Sequence, residues 1–305
     1  MPRGRLRSQP GFPPVVGDWV LVEPADDDRY VVESILPRRT AMVRRQAGSS
    51  VSAQMLAANV DRGLLVTSMN QDFSVRRLER YLTMIWESGA SPIIALTKAD
   101  LVHDVDRFRR EAEKRALGFP VLCVSTVSGD GIDELRSWLM PGETIVLLGS
   151  SGVGKSTLVN VLGEGDIRAT TSIRVKDGRG RHTTTDRHLL RLPSGVLLID
   201  TPGLREVQLW ASSTAVDQTF PEISQLARHC RFRDCQHVGE PGCAVLAGIE
   251  AGEIDADRLA SLNRLRRELE HLKRERDPLA ALEHKGKLKT MFRAYEKRQR
   301  HRTKP

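Results

Sequence analysis

Gly149-Ser-Ser-Gly-Val-Gly-Lys-Ser156 matches the pattern G-x-x-x-x-G-K-[ST] at every position, and its reading decides the fold. The run Thr144–Leu148 before it is apolar, and Thr157-Leu-Val-Asn-Val-Leu after it has a helical pattern. Strand, loop and helix in that order are what a phosphate-binding loop requires. Glycines let backbone N–H groups turn inward around a phosphate, and the helix N-terminus adds its dipole. Gly149, Ser150, Ser151, Gly152, Val153, Gly154 and Thr157 therefore form the candidate cradle. Lys155 reaches for the β- and γ-phosphates, and the Ser156 hydroxyl for Mg²⁺. The loop calls for a nucleoside triphosphate and leaves the base open.

Working outward, apolar runs at 63–67, 92–96, 120–124, 143–148 and 195–199 read as buried parallel strands. Helical patterns at 73–88, 103–117 and 131–140 separate the first four, so a doubly wound α/β sheet is expected over 61–211. Residues 1–60 carry short β-like runs, among them Asp18-Trp-Val-Leu-Val and Arg29-Tyr-Val-Val-Glu-Ser-Ile, and read as a small all-β unit. Beyond 212 the strands stop. There Leu259, Leu262, Leu265, Leu269 and Leu272 recur three or four apart, which makes one apolar stripe on a helix.

Two strand ends carry further chemistry. Asp200-Thr-Pro-Gly203 follows Val196-Leu-Leu-Ile, where phosphate-loop proteins place an Mg²⁺-associated carboxylate and a glycine amide that senses the γ-phosphate. Thr97-Lys-Ala-Asp100 closes Pro92-Ile-Ile-Ala-Leu. A carboxylate there can accept from guanine's N1–H and exocyclic amine together, and a buried Asp100 is poorly satisfied by adenine. The Lys98 stem can lie along the base. Thr97 stands where the motif usually has Asn, and Ser125 occupies the place of a second guanine contact. Between loop and carboxylate, Gly178-Arg-Gly-Arg-His-Thr-Thr-Thr-Asp186 is polar and glycine-rich. One of Thr183, Thr184 and Thr185 can give Mg²⁺ its second hydroxyl, Thr184 being preferred. Leu204 stands where related enzymes orient water with Gln, so slow intrinsic hydrolysis is expected, with His182 the nearest polar candidate for the missing group.

The base-reading motif thus precedes the phosphate loop, whereas in common GTPases it comes last. A circular permutation explains this, because joining close termini and reopening the chain elsewhere preserves every contact. It also makes the segment after Gly203 lead straight into Cys230-x₄-Cys235-x-His237-x₅-Cys243. Three thiolates and an imidazole form a closed tetrahedral set for one structural Zn²⁺. Cys123 lies in an apolar strand and reads as core.

Net charge is +8 with a pI near 9.6, and from His284 to Pro305 nine Lys/Arg face the single acid Glu296. This favours a polyanionic partner. No apolar run approaches the ~20 residues of a membrane span, and the basic start lacks a secretory apolar segment. A cytoplasmic location without membrane contact is expected.

These features together resemble the RsgA/YjeQ family of circularly permuted GTPases, which assist maturation of the small ribosomal subunit. The resemblance runs through Val16-Gly-Asp-Trp-Val, Ile35-Leu-Pro-Arg-Arg, Ala57-Ala-Asn-Val-Asp61, Arg181-His-Thr-Thr-Thr, Asp200-Thr-Pro-Gly-Leu-Arg-Glu, and Phe232-Arg-Asp-Cys-Gln-His with Glu240-Pro-Gly-Cys-Ala. It implies three parts: an OB-like N-terminal β-barrel (1–60), a permuted P-loop GTPase domain (61–211), and an α-helical zinc-binding domain with a basic tail (212–305). It further implies GTP and GDP as ligands, the small ribosomal subunit and its rRNA as partners of a monomer, and a hydrolytic role for His182. The alternative is an RNA-binding scaffold in which nucleotide is structural. A phosphate-loop ATPase is the third reading, which Asp100 opposes.

Overall fold

The computed structural model describes residues 13–25, 29–45, 53–165, 188–200 and 210–277. Its elements run β1 (Val20–Ala25), β2 (Arg29–Ile35), β3 (Ala41–Arg45), β4 (Ala53–Ala58), β5 (Arg62–Ser68), α1 (Val75–Ser88), β6 (Ser91–Thr97), α2 (Val105–Ala116) and β7 (Val121–Val124). They continue with α3 (Ile132–Ser137), β8 (Thr144–Leu148), α4 (Lys155–Leu162), β9 (His188–Arg191) and β10 (Leu197–Asp200). Last come α5 (Ser213–Thr219), α6 (Pro221–Ala227), α7 (Ala244–Glu250) and α8 (Ala256–Arg276).

Six strands form one sheet in the order β7-β6-β5-β8-β10-β9, parallel except for β9. Neighbouring residues on each strand point to opposite faces, and both faces are covered. Leu65, Ile94, Leu96, Val146 and Leu148 pack on one side with Leu78, Leu82 and Ile85 of α1 and Ala112 of α2. Leu64, Ile93, Ile145 and Leu147 pack on the other with Leu135 of α3 and Leu158 and Val159 of α4. A fully buried Leu or Ile side chain contributes about 1.5–3 kcal/mol, so these two layers dominate the stability of the sheet. The five parallel strands are those the apolar runs announce. The edge strand β9 was not among them: His188-Leu-Leu-Arg is four residues long and exposes Leu189, so it carries no buried run.

The expected N-terminal barrel takes a different form among the described residues. β1 pairs antiparallel with β2, and β3 with β4, giving two separate two-stranded sheets. A closed barrel would bury alternate residues, but Leu21, Val22, Tyr30 and Val31 are all exposed. What orders this region is a polar clasp. Asp18 accepts from Arg38 Nε and Nη2 at 2.7 and 2.8 Å. Asn59 accepts from the Arg39 N–H at 2.9 Å and donates to the Gly17 carbonyl at 2.9 Å. Gly17 sits at φ 94°, and a Cβ there would lie 2.0 Å from the Ala58 carbonyl oxygen, which only glycine avoids. Asp61 then accepts from the Thr144 N–H at 2.8 Å, joining the clasp to the first residue of β8. Three of the strings that carry the family resemblance are therefore parts of one scaffold contact.

The described residues fall into two compact units, one ending at Pro221 and the other beginning at Glu222. The first extends past the expected boundary at 211, because α5 packs on α1. The Thr83 and Thr219 hydroxyls lie 2.9 Å apart, and Glu87 accepts from both the backbone and the hydroxyl of Ser212, each at 2.7 Å. In the second unit α8 buries Leu259, Leu262, Leu265 and Leu272, as the stripe requires. No helix among the described residues is long and apolar enough to cross a membrane.

Candidate functional site

The parallel strands end together at one edge, where open α/β sheets bind their ligands. The phosphate loop leaves β8 through Gly149, at φ 140°; a Cβ here would lie 2.2 Å from the Val66 carbonyl oxygen, so the loop can turn this close to β5 only as glycine. Val153 is buried in the core and pins the loop, while Ser151, Gly152, Ser156 and Thr157 face outward. Lys155 begins α4 and donates to the Gly149 carbonyl at 2.7 Å and to that of Ser150. α4 has no side-chain cap, so the N–H groups of its first turn are directed at whatever the loop encloses.

The base-reading residues converge on this loop. Thr97, buried at the end of β6, donates to the Val153 carbonyl at 2.6 Å. A hydroxyl there ties the motif to the loop, so its departure from Asn keeps a structural tether. Lys98 adopts φ 63° and donates to the Gly152 carbonyl at 2.9 Å. Ser125 is fully buried; its hydroxyl donates to Asp100 at 2.6 Å and accepts from the N–H groups of Val127 and Ser128 at 3.2 and 3.1 Å. Asp100 itself is exposed rather than buried, so its desolvation would come only with the base that covers it. Losing two charge-assisted hydrogen bonds at about 1.5–3 kcal/mol each should weaken GTP at least about 10²-fold in Asp100→Ala. ATP affinity should stay unchanged. Competition against fluorescent GDP measures both, and an unaltered GTP-to-ATP ratio would refute the base-reading role.

Asp200 ends β10 beside Leu147 of β8, buried, two residues upstream of the phosphate loop in register. Gly203, Leu204, His182 and Thr184 lie outside the described residues. Along the chain the order is therefore Asp100, then Lys155, then Asp200, although all three stand at one sheet edge.

The RsgA GTPase family model matches residues 35–210. This chain belongs to the RsgA GTPase family. RsgA GTPases are GTP hydrolases, and so is this chain. It is 51% identical over 255 residues to a small ribosomal subunit biogenesis GTPase RsgA of Streptomyces avermitilis, covering 83% of this chain and 68% of the relative. It is 46% identical over 271 residues to an RsgA 2 of Lactiplantibacillus plantarum with the same description, covering 88% and 76%. Among solved structures, YjeQ from Thermotoga maritima matches with a TM-score of 0.65 at 28% identity, covering 86% of each chain. YloQ, described as a circularly permuted GTPase, matches with a TM-score of 0.61 at 27% identity, covering 91% of this chain and 85% of that one.

In this RsgA chain the second unit holds the Cys/His cluster. Cys230, Cys235, His237 and Cys243 bring their ligand atoms within 4.8 Å of one another. Tetrahedral zinc with Zn–S about 2.3 Å and Zn–N about 2.0–2.1 Å puts S···S edges near 3.8 Å and S···N edges near 3.6 Å. The distances are 4.0 Å between Cys230 Sγ and Cys243 Sγ, and 3.7 and 3.4 Å from His237 Nδ1 to those two sulfurs. All three cysteines are free thiols, so the donor set fits a metal ion. Burial lowers the His237 pKa and keeps its imidazole neutral, which is the form that binds metal. Burial pushes the Cys230 thiol up, but hydrogen bonds from the Val245 and Ala244 N–H groups and from the Cys235 and Cys243 thiols together leave the pKa lowered. Cys243 caps α7, accepting from the Leu246 N–H at 3.4 Å. Glu240 staples the connecting loop by accepting from the Val238 and Gln236 N–H groups, both at 2.8 Å, which holds its pKa at about 2.

One contact of this RsgA site has no motif behind it. Arg77 of α1 donates to the Ser150 hydroxyl at 2.7 Å, across 73 residues of chain. Burial pushes the Tyr81 phenol up in pKa, a shift that hydrogen bonding with Ser150 opposes. In the sequence these two residues read only as one face of a helix.

Proposed function

We propose that this chain is a GTPase that binds the small ribosomal subunit during its maturation and couples GTP hydrolysis to its own release. The observation that carries this is the identity of 41–51% over most of the chain to relatives named for small ribosomal subunit biogenesis. The convergence of Thr97, Lys98, Asp100 and Ser125 on the loop 149–156 supports GTP as the nucleotide. In this reading the N–H groups of 149–157 and the Lys155 ammonium hold the phosphates, while Ser156 and Thr184 are the Mg²⁺ hydroxyls, with Asp200 behind them. Mg²⁺ would neutralise charge shared between the β- and γ-phosphates. Gly203 reports the γ-phosphate, and His182 orients or activates water in place of the side chain that Leu204 lacks.

Domain roles follow the same reading: residues 1–60 are an OB-derived rRNA-binding part, 61–211 the permuted GTPase domain, and 212–305 a zinc domain with a basic tail. The charge of +8, with its excess in that tail, supports rRNA as the surface engaged by the outer parts. Cys230, Cys235, His237 and Cys243 hold one structural Zn²⁺, and the protein acts as a monomer in the cytoplasm.

The test is GTP turnover with and without purified small subunits. Groups supplied by a partner are worth about 10³–10⁵ in rate in comparable enzymes, so stimulation should exceed about tenfold. His182→Ala should lose most of the stimulated rate and keep GDP affinity. Turnover indifferent to added subunits would sink the proposal.

A further inference from the structure

The geometry points to Arg77 as a positioning residue of the GTPase reaction: from α1 it holds the Ser150 hydroxyl and so sets the phosphate loop around Lys155.

Arg77 lies in the first turn of α1, one turn of helix before Tyr81, and the two share a face. That face meets the loop at its second residue. Ser150 is held twice, by its hydroxyl on Arg77 and by its carbonyl on the Lys155 ammonium. The loop's far end has its own tethers, the Thr97 bond to Val153 and the Lys98 bond to Gly152. Without Arg77, the stretch from Gly149 to Ser151 keeps its backbone contacts but loses the anchor on the Ser150 hydroxyl.

α1 is a rigid support for such an anchor. Ser74 caps it by accepting from the Arg77 N–H, Leu78, Leu82 and Ile85 are buried against the sheet, and Thr83 and Glu87 fasten α5 to its other end. Arg77 itself is exposed, so truncating it leaves the helix packing intact.

Lys155 acts on charge that develops on the transferring phosphoryl group, and such donors work only when held in place. Losing the anchor should therefore appear in kcat. The base-side residues Thr97, Lys98 and Asp100 are tethered without the Ser150 hydroxyl, and its removal leaves the backbone N–H groups of the loop in place, so GDP affinity should hold.

The experiment uses the full chain, GTP turnover without subunits, and fluorescent GDP binding. Arg77→Ala should lower kcat by about tenfold, with KM within about threefold and GDP affinity within about twofold, since small misplacements in a site cost this much or more. Arg77→Lys retains a donor and should recover most of the rate. Ser150→Ala should match Arg77→Ala, and the double variant should be no slower than the slower single. An unchanged kcat in Arg77→Ala would overturn the inference. So would a parallel fall in GDP affinity, which marks a collapsed loop, or losses that multiply in the double variant. The inference rests on the phosphate-loop reading of 149–156, and Lys155→Ala separates the two. If that reading fails, Lys155→Ala stays active; if only this inference fails, Lys155→Ala is inactive and Arg77→Ala is not.

Discussion

Lys155→Ala is expected to reduce kcat for GTP by at least 10²–10³, the cost of removing one preorganised donor from developing charge. The structure gives reason to expect the upper end. Lys155 begins α4, where the N–H groups of the first turn also point into the loop, so its ammonium adds a full positive charge to those dipoles, braced on the loop's own carbonyls. With alanine, the carbonyls of Gly149 and Ser150 lose their shared donor and the loop loses its internal brace. Ser156→Ala should give a comparable loss by removing an Mg²⁺ hydroxyl. The same variants decide between an enzyme and a scaffold: as a scaffold the protein would still support subunit maturation in cells, and as a GTPase it would accumulate on unfinished subunits. Full maturation with Lys155→Ala would establish the scaffold.

Removing the zinc proposed for the Cys/His cluster is expected to be the second large effect. A structural zinc site contributes about 10–16 kcal/mol of apparent binding energy. Whole domains are stable by only about 5–15 kcal/mol. The unit from Glu222 onward is organised around the four ligands: Cys243 caps α7, and Glu240 staples the loop between Cys235 and Cys243. Cys243→Ser, or a strong chelator, should therefore leave this unit open to proteolysis. The GTPase sheet should stay folded and still bind GDP. Metal analysis should return one zinc per parent chain and none for Cys243→Ser, whereas Cys123→Ala should keep its zinc. A chelated protein whose second unit resists protease as before would show that the cluster is not structural.

Most of the candidate site was legible in the sequence because its parts are contiguous. A phosphate loop, a strand-end Asp and a Cys/His cluster each act through local backbone geometry, so their residue types sit at fixed spacings. Asp100 shows the limit of that legibility. Its motif proposes guanine on chemical grounds, yet its exposure follows from where β6 ends relative to the loop, and spacing does not report that. The N-terminal region shows another limit. Short β-like runs announced strands, but whether strands close a barrel depends on which edges pair, and among the described residues they form two pairs beside the contacts of Asp18, Arg38 and Asn59.

The sequence by itself determined the nucleotide chemistry, the rotated motif order and the metal donor set. Each is a matter of which groups stand within a few bonds of one another. Only the tertiary structure decided that Arg77 reaches Ser150, that Asn59 ties Gly17 to Arg39, and that α5 belongs with α1. Those contacts join residues 20 to 136 positions apart, and the sheet order β7-β6-β5-β8-β10-β9 is what brings the more distant of them together. A side chain reads in sequence as the face of its own helix; its partner is set by the neighbour the topology packs against that face.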